Sequence, residues 1–397
     1  MSFAIYSSDA RIFPDEYQDP EGLIQKAFNH FQSRKLFELF TTQQLGKNTV
    51  YQINCPVAAL LHRRLLLNLT TINQVKQSNR NGIIKCIKAL LKDVNPYNIV
   101  RLDVQKFYEN CDRKAILNRL EGDPAYSNET CELVKLFFDS FEKAGLKGLP
   151  RGIGLSALLA EYHLRSFDRK IVQKLGTLYY ARFVDDIIIV TTESTDETID
   201  FVTRILPKGL KFNESPDKHK IIEVPSNRRF PKNIKTEDQF SFDYLGYGFR
   251  IKKTEEIREV IIDLASGKKN RFKKRIIKAF IDFSKTNNFR FLEARIKFLT
   301  SNYLIGDRRR STKKRTGIYY NYQMVNTHLS FQELDNFITT ICCNGRVQQN
   351  LLGKSIQMTA NQRTKILRCS FVKGHSERIF YKVTRKSIGK IKRRWGY

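Results

Sequence analysis

The sequence predicts an α+β protein in two parts: a mixed region with antiparallel hairpins, then a basic, mainly α-helical region. Three observations lead there. Residues 177–192 (TLYYARFVDDIIIVTT) and 242–252 (FDYLGYGFRIK) are rich in β-branched and aromatic residues around short breaks, the pattern of paired strands. Elsewhere apolar residues recur at helical spacing. Charge also shifts along the chain: residues 251–397 hold 34 Lys/Arg against 10 Asp/Glu, whereas residues 1–250 hold 36 against 30. The shift puts a boundary near 255–270, giving parts 1–262 and 263–397.

The elements follow in order. Residues 56–75 read as an apolar helix with a basic step, His62-Arg63-Arg64. Asn81 is placed to cap a helix with Ile83, Ile84, Ile87, Leu90 and Leu91 on one face, stopped by Asn95-Pro96. Residues 98–104 form a strand, and a helix-rich stretch runs to Ala144. Gly145, Gly148, Pro150, Gly152 and Gly154 make a loop, and Ser156 starts a helix that reaches Leu175, with Gly176 ending it. The two hairpins come next. From about 268 the chain is basic and helical, with Phe291, Ile296, Phe298, Leu299 and Tyr303 spread over 289–304.

A chain of 397 residues with 41% hydrophobic content suits a globular protein, and its net charge of +30 calls for a polyanionic partner. Nucleic acid is the simplest such partner; an anionic membrane surface is the lesser option. No apolar stretch approaches the ~20 residues that cross a bilayer. The N-terminal MSFAIYSSDARIF lacks the basic start and apolar segment of a signal peptide. Seven cysteines without CxxC spacing and six scattered histidines argue against a disulfide scaffold or structural zinc, and point to a reducing cytoplasm.

Asp185 and Asp186 sit between two apolar strands. An unpaired carboxylate in a buried strand costs several kcal/mol, so something cationic must offset it. The ordinary alternative is a wet hairpin tip. Asp103 ends the strand NIVRLD, where a turn or helix-cap role is the alternative. The loop GLKGLPRGIGLS lacks the GKS or GKT of a P-loop; it is either a flexible connection or backbone brought close to a substrate ahead of a helix N-terminus. Lys218, His219 and Lys220 follow a strand-like LKF and otherwise read as surface residues. Carboxylates from separate strands suit a pair of divalent ions about 3.5–4 Å apart, the arrangement of two-metal phosphoryl transfer.

Taken together and in this order, these segments resemble the reverse transcriptases over about residues 50–255. IVRLDVQKFYENCD, GLPRGIGLSALLAEYHLRSFD, YYARFVDDIIIV, LKFNESPDKHKI and FDYLGYGF match five successive family motifs. The resemblance implies a right-hand polymerase, with fingers, a palm built on an antiparallel sheet, and a helical thumb. It implies RNA-directed DNA polymerase activity on dNTPs, with two Mg²⁺ ions (Mn²⁺ substituting) bound by Asp103, Asp185 and Asp186. Tyr108 matches an aromatic gate against the ribose 2′-OH. Lys218, with Lys220 next, matches the lysine that protonates the leaving pyrophosphate. Arg80 is a candidate for the triphosphate, in competition with Arg63 and Arg64. Arg151 and Gly152 fall in the nucleotide-supporting loop, Arg151 replacing the family's usual Gln. Phe183 replaces a commoner Tyr before the acids.

These departures, the compact length and RTGIYYNYQMV (315–325) look most like the bacterial defence-associated reverse transcriptases, within them the class 3 type, first subunit. That resemblance implies antiphage defence, a noncoding RNA as template, a DNA product, a second polymerase subunit or homo-oligomer, and no membrane. In GDRRRSTKKRTGIYYNY, Arg308, Arg309, Arg310, Lys313, Lys314 and Arg315 precede three tyrosines, a combination that neutralises phosphates and stacks on bases at ~1–3 kcal/mol each. Competing expectations are an inert polymerase fold that serves as an RNA-binding scaffold, a retron or group II-type enzyme, and an RNA-dependent RNA polymerase.

Overall fold

The computed structural model describes residues 18–37, 40–45, 48–73, 79–230, 240–253, 257–306, 313–353, 355–383, 385–393 and 395. Contacts divide the chain into two units, 1–79 with 96–224, and 80–95 with 225–397. The composition boundary at 262/263 falls inside a strand, since residues 258–264 pair in register with 247–253 and Tyr247 faces Leu264. Charge marks where the chain turns basic, whereas backbone pairing decides what folds together.

The chain runs α1 (Pro20–Gln32), β1 (Phe40–Leu45), β2 (Asn48–Ile53), α2 (Pro56–Asn73), α3 (Arg80–Leu90), β3 (Tyr97–Asp103), α4 (Arg113–Glu121), α5 (Asn128–Lys143) and α6 (Gly154–Gln173). Then come β4 (Thr177–Phe183), β5 (Asp186–Thr191), α7 (Thr195–Ile205), β6 (Lys220–Val224), β7 (Ser241–Tyr244), β8 (Tyr247–Lys253) and β9 (Arg258–Leu264). The remainder is α8 (Ser266–Thr286), α9 (Phe289–Thr300), β10 (Asn302–Gly306), β11 (Lys313–Gly317), α10 (Ile318–Asn321), α11 (Leu329–Cys343), α12 (Gly345–Leu352), α13 (Ala360–Leu367), α14 (Phe371–Ser376) and α15 (Arg385–Arg393).

The first unit centres on an antiparallel sheet in the order β4-β5-β3-β6. Ile99, Val100 and Leu102 of β3 are all buried although adjacent strand residues point to opposite faces, so the middle of the sheet is covered on both sides. One core joins Leu61, Leu65 and Leu69 of α2, Phe137 and Phe141 of α5, Leu155 and Phe167 of α6, and Val100 and Ile187 of the sheet. Each such side chain contributes about 1.5–3 kcal/mol by leaving water. Asp112, Ser127 and Ser194 cap α4, α5 and α7 through their own side chains. Helix α6 differs. It starts at Gly154, two residues before the expected Ser156, and has no side-chain cap of its own. His62 from α2 supplies the acceptor instead, its Nε2 taking the Leu155 N–H at 3.1 Å.

In the second unit β7, β8 and β9 form an antiparallel sheet. Leu245 and Gly246 turn the β7–β8 hairpin with φ of 47° and 82°, the double left-handed conformation of a type I′ turn. α8 and α9 reverse at Asn287 (φ 50°), after which Asn288 caps α9 through the Phe291 N–H. A buried ion pair, Arg295 to Asp282 at 2.6 Å, joins the two helices. The helical tract expected over 289–304 ends at Thr300, and Tyr303 lies on β10 of a further hairpin. Arg308, Arg309 and Arg310 lie outside the described residues, while Lys313, Lys314 and Arg315 are on β11. Among the described residues no helix is long and apolar enough to cross a membrane.

Candidate active site

Strand register assembles the acids. Asp103, the last residue of β3, lies directly opposite Asp186, the first residue of β5. Opposed residues of an antiparallel pair share a face, with Cα atoms about 4.5–5.5 Å apart. Phe183 is in turn opposite Asp186 on β4, so it shares that face. Asp185 sits in the two-residue turn between β4 and β5. Its carbonyl accepts the Val104 N–H at 2.9 Å, which fastens the turn to the end of β3. Asp103 is thus brought beside the distant pair Asp185–Asp186, at the edge where the two central strands β3 and β5 end.

Their charges are partly matched. Asp103 is buried and takes a 2.6 Å ion pair from Lys218 Nζ. Asp186 accepts from Arg101 Nε at 3.1 Å and Nη2 at 3.3 Å. Burial and then the negative charge of Asp103 push the Asp185 carboxyl above its ordinary range. Burial also pushes Asp186 up, against the opposing pull of Arg101. Lys220 is opposite Arg101 on the edge strand β6 and is exposed.

The turn itself is strained and clamped. Val184 has φ of 64°, a left-handed conformation that a β-branched residue rarely adopts and that costs of order 1–3 kcal/mol. Arg182 holds it there, with Nη1 donating to the Val184 carbonyl at 2.9 Å. The same guanidinium is bidentate to Asp168 (2.9 and 2.7 Å) and to Glu161 (3.1 and 2.7 Å), both on α6. Tyr180 Oη donates to Asp168 at 2.6 Å. Burial alone would weaken the Arg182 charge, but the two carboxylates hold it firmly protonated.

Tyr108 is half-buried beside this edge. Burial raises its phenol pKa, and the charges of Glu161 and Asp185 raise it further. The Arg151 guanidinium lies 5.4 Å from the centre of its ring. That guanidinium is bidentate to Glu109 at 2.6 and 3.1 Å, so its charge is matched within the protein. The glycines of the loop have a backbone reason. A Cβ on Gly148 (φ 54°) would meet the Tyr108 and Glu109 carbonyl oxygens at 2.4 Å, and one on Gly152 (φ 95°) would meet Val50 Cγ1 at 2.4 Å and the Tyr51 oxygen at 2.6 Å. Close approach of chain to chain requires them.

The structure therefore brings together Asp103, Asp185, Asp186, Lys218, Tyr108 and Phe183, with Arg151 adjoining Tyr108 and Gly152 packed instead on Val50 and Tyr51. Arg80 belongs to the second unit. There its Nε donates to the Leu245 carbonyl and Nη1 to the Asn321 carbonyl, both at 2.8 Å, and it stacks 4.6 Å from the Tyr247 ring. Sequence reasoning missed Arg101, Glu109 and the Arg182–Glu161–Asp168 cluster. A signal existed for two of them, since Arg101 and Arg182 are charges embedded in otherwise apolar strands just before the acids.

Among the described residues no three His, Cys, Asp or Glu side chains form a ready-made ligand set for a metal ion. The residues nonetheless fit Mg²⁺, which takes one or two carboxylates and completes its shell with water and substrate phosphates. The Asp103–Asp185 repulsion that raises one carboxyl is what a cation between them would relieve.

No protein-family model matches the chain, and no curated protein does. Among solved structures, apo telomerase from Candida tropicalis superposes with a TM-score of 0.40 at 9% identity, over 94% of this chain and 68% of that one. Telomerase from Candida albicans in complex with a fragment of telomeric RNA gives 0.35 at 11%, over 85% and 57%. A truncated C. tropicalis telomerase gives 0.35 at 15%, over 48% of this chain and 43% of that one, so this chain spans under half of that protein's length.

Proposed function

We propose that the protein is an RNA-directed DNA polymerase, joining a dNTP to a 3′-hydroxyl. The observation that carries this reading is the register that sets Asp103 against Asp186, with Asp185 in the adjoining turn and its carboxyl raised by burial and then by the Asp103 charge. Asp103 and Asp185 would hold two Mg²⁺ ions, which when bound supply Lewis-acid activation of the attacking hydroxyl and offset the charge on pyrophosphate. Arg101 keeps Asp186 fixed beside them. Lys218, already at the site, donates a proton to the leaving pyrophosphate. The Tyr108 ring excludes a ribose 2′-OH. Likeness to the bacterial defence-associated reverse transcriptases supports a role in antiphage defence, with an associated noncoding RNA as template and a second polymerase subunit as partner.

Primer extension with labelled dNTPs and Mg²⁺ tests the reading. Asp185→Ala should lower incorporation by more than about a hundredfold while RNA binding, read by fluorescence anisotropy, is unchanged. Undiminished incorporation by that variant would remove the assignment. RNA binding without any incorporation by the unaltered protein would favour an inert scaffold.

A further inference from the structure

We propose that a cavity of about 440 Å³ in the second unit holds one nucleotide of a single-stranded nucleic acid, its phosphate toward Lys365 and Arg368 and its base against Phe380. The cavity is bordered by α9, α13, α14 and residues 379–381, and its size is that of a small-ligand site.

Charge selects an anion. Glu293 also lines the cavity but is matched by Lys297 Nζ at 2.7 Å. Lys365 and Arg368 are exposed and form no ion pair among the described residues. Cations at the end of α13 also complement the helix dipole, which alone would explain both of them. The dipole does not explain the aromatic wall. Phe380 is 46% exposed beside the cations, with Tyr381 next to it. The wall is rigid, because the fully buried Asn302 donates its N–H to the Ile379 carbonyl at 2.8 Å and accepts the Tyr381 N–H at 2.7 Å. Its side-chain nitrogen also bonds the Gly374 and Ile379 carbonyls. Such a preset ring face is what stacking on an unpaired base requires.

A path leads out of the cavity. The Phe380 ring lies 5.9 Å from Tyr320, and Tyr320 Oη is 3.5 Å from Arg315 Nη1. Arg315 continues into exposed Lys314 and Lys313 on β11. Alternating rings and cations suit a strand that extends beyond the one bound nucleotide.

The test titrates the full chain with a short fluorescein-labelled oligouridylate, following anisotropy across salt concentrations. Lys365→Glu with Arg368→Glu should weaken binding by about tenfold or more and lower the salt slope by about two. Phe380→Ala should weaken it at least about fivefold, and Phe380→Trp should restore it. Equal losses from Lys114→Glu with Lys135→Glu, two exposed lysines of the first unit, would reduce the effect to net charge and overturn the site. No change with Phe380→Ala would do the same. Binding of uridine monophosphate as tightly as the oligonucleotide would make a free nucleotide the occupant and overturn the assignment to a strand.

Discussion

Arg182 shows how one residue fixes the geometry of a candidate catalytic turn. Its side chain is 4% exposed and answers two carboxylates and a backbone carbonyl at once. Removing it would leave Glu161 and Asp168 charged and unmatched. Arg182→Met is therefore expected to cost about 3–5 kcal/mol of stability in the first unit, measured by hydrogen exchange of β4 and β5 amides. A loss under about 1 kcal/mol would mean the ion pairs contribute nothing net. His375 illustrates a different single-residue effect. Its Nε2–H donates to the Tyr322 carbonyl at 3.1 Å, while burial lowers its pKa from the ordinary 6.5. The unfolded chain then takes up a proton more readily than the folded one. Stability from this residue is complete above 6.5 and is lost as pH falls through the lower folded value. The thermal midpoint of the second unit should drop as pH falls below the ordinary histidine value of 6.5, and His375→Gln should flatten that dependence. An unchanged slope would contradict it.

At the scale of elements, the loop before α6 is fixed by contact rather than by flexibility. Gly145 (φ 69°) and Gly152 (φ 95°) share a left-handed backbone, but a Cβ on Gly145 meets nothing within 4 Å whereas one on Gly152 strikes Val50 and Tyr51. Gly145→Ala should cost roughly 1–2 kcal/mol, the price of the conformation alone. Gly152→Ala should cost more and should displace the Arg151–Glu109 pair, which nucleotide-selection assays on the two variants would register. Equal costs would show that the close approach is not maintained. The hairpins and most helices were legible in the sequence because their apolar spacing is local: β4 and β5 fall within 177–192, and α2 within 56–75. The start of α6 was not, because its cap is a histidine ninety-three residues away. The β10–β11 hairpin was hidden by the basic residues that suggested continued helix. The three aspartates could be singled out by their apolar flanks and Lys218 by its motif, but Arg101, the partner of Asp186, acquires meaning only once β3 and β5 are aligned.

At the scale of the whole molecule, the excess of positive charge and the acidic sheet edge are complementary demands. A net charge of +30 favours a polyanion and makes its binding salt-dependent, while under the proposed function the carboxylates would hold small cations of their own. A polymerase acting on nucleic acid through divalent ions satisfies both. The most direct measurement is Mn²⁺ binding by electron paramagnetic resonance, with dNTP present, for the unaltered protein and for Asp103→Asn and Asp185→Asn. Bound Mn²⁺ is expected in the first and its loss in both variants while the fold is retained. Undiminished Mn²⁺ binding in the two variants would contradict the proposed function.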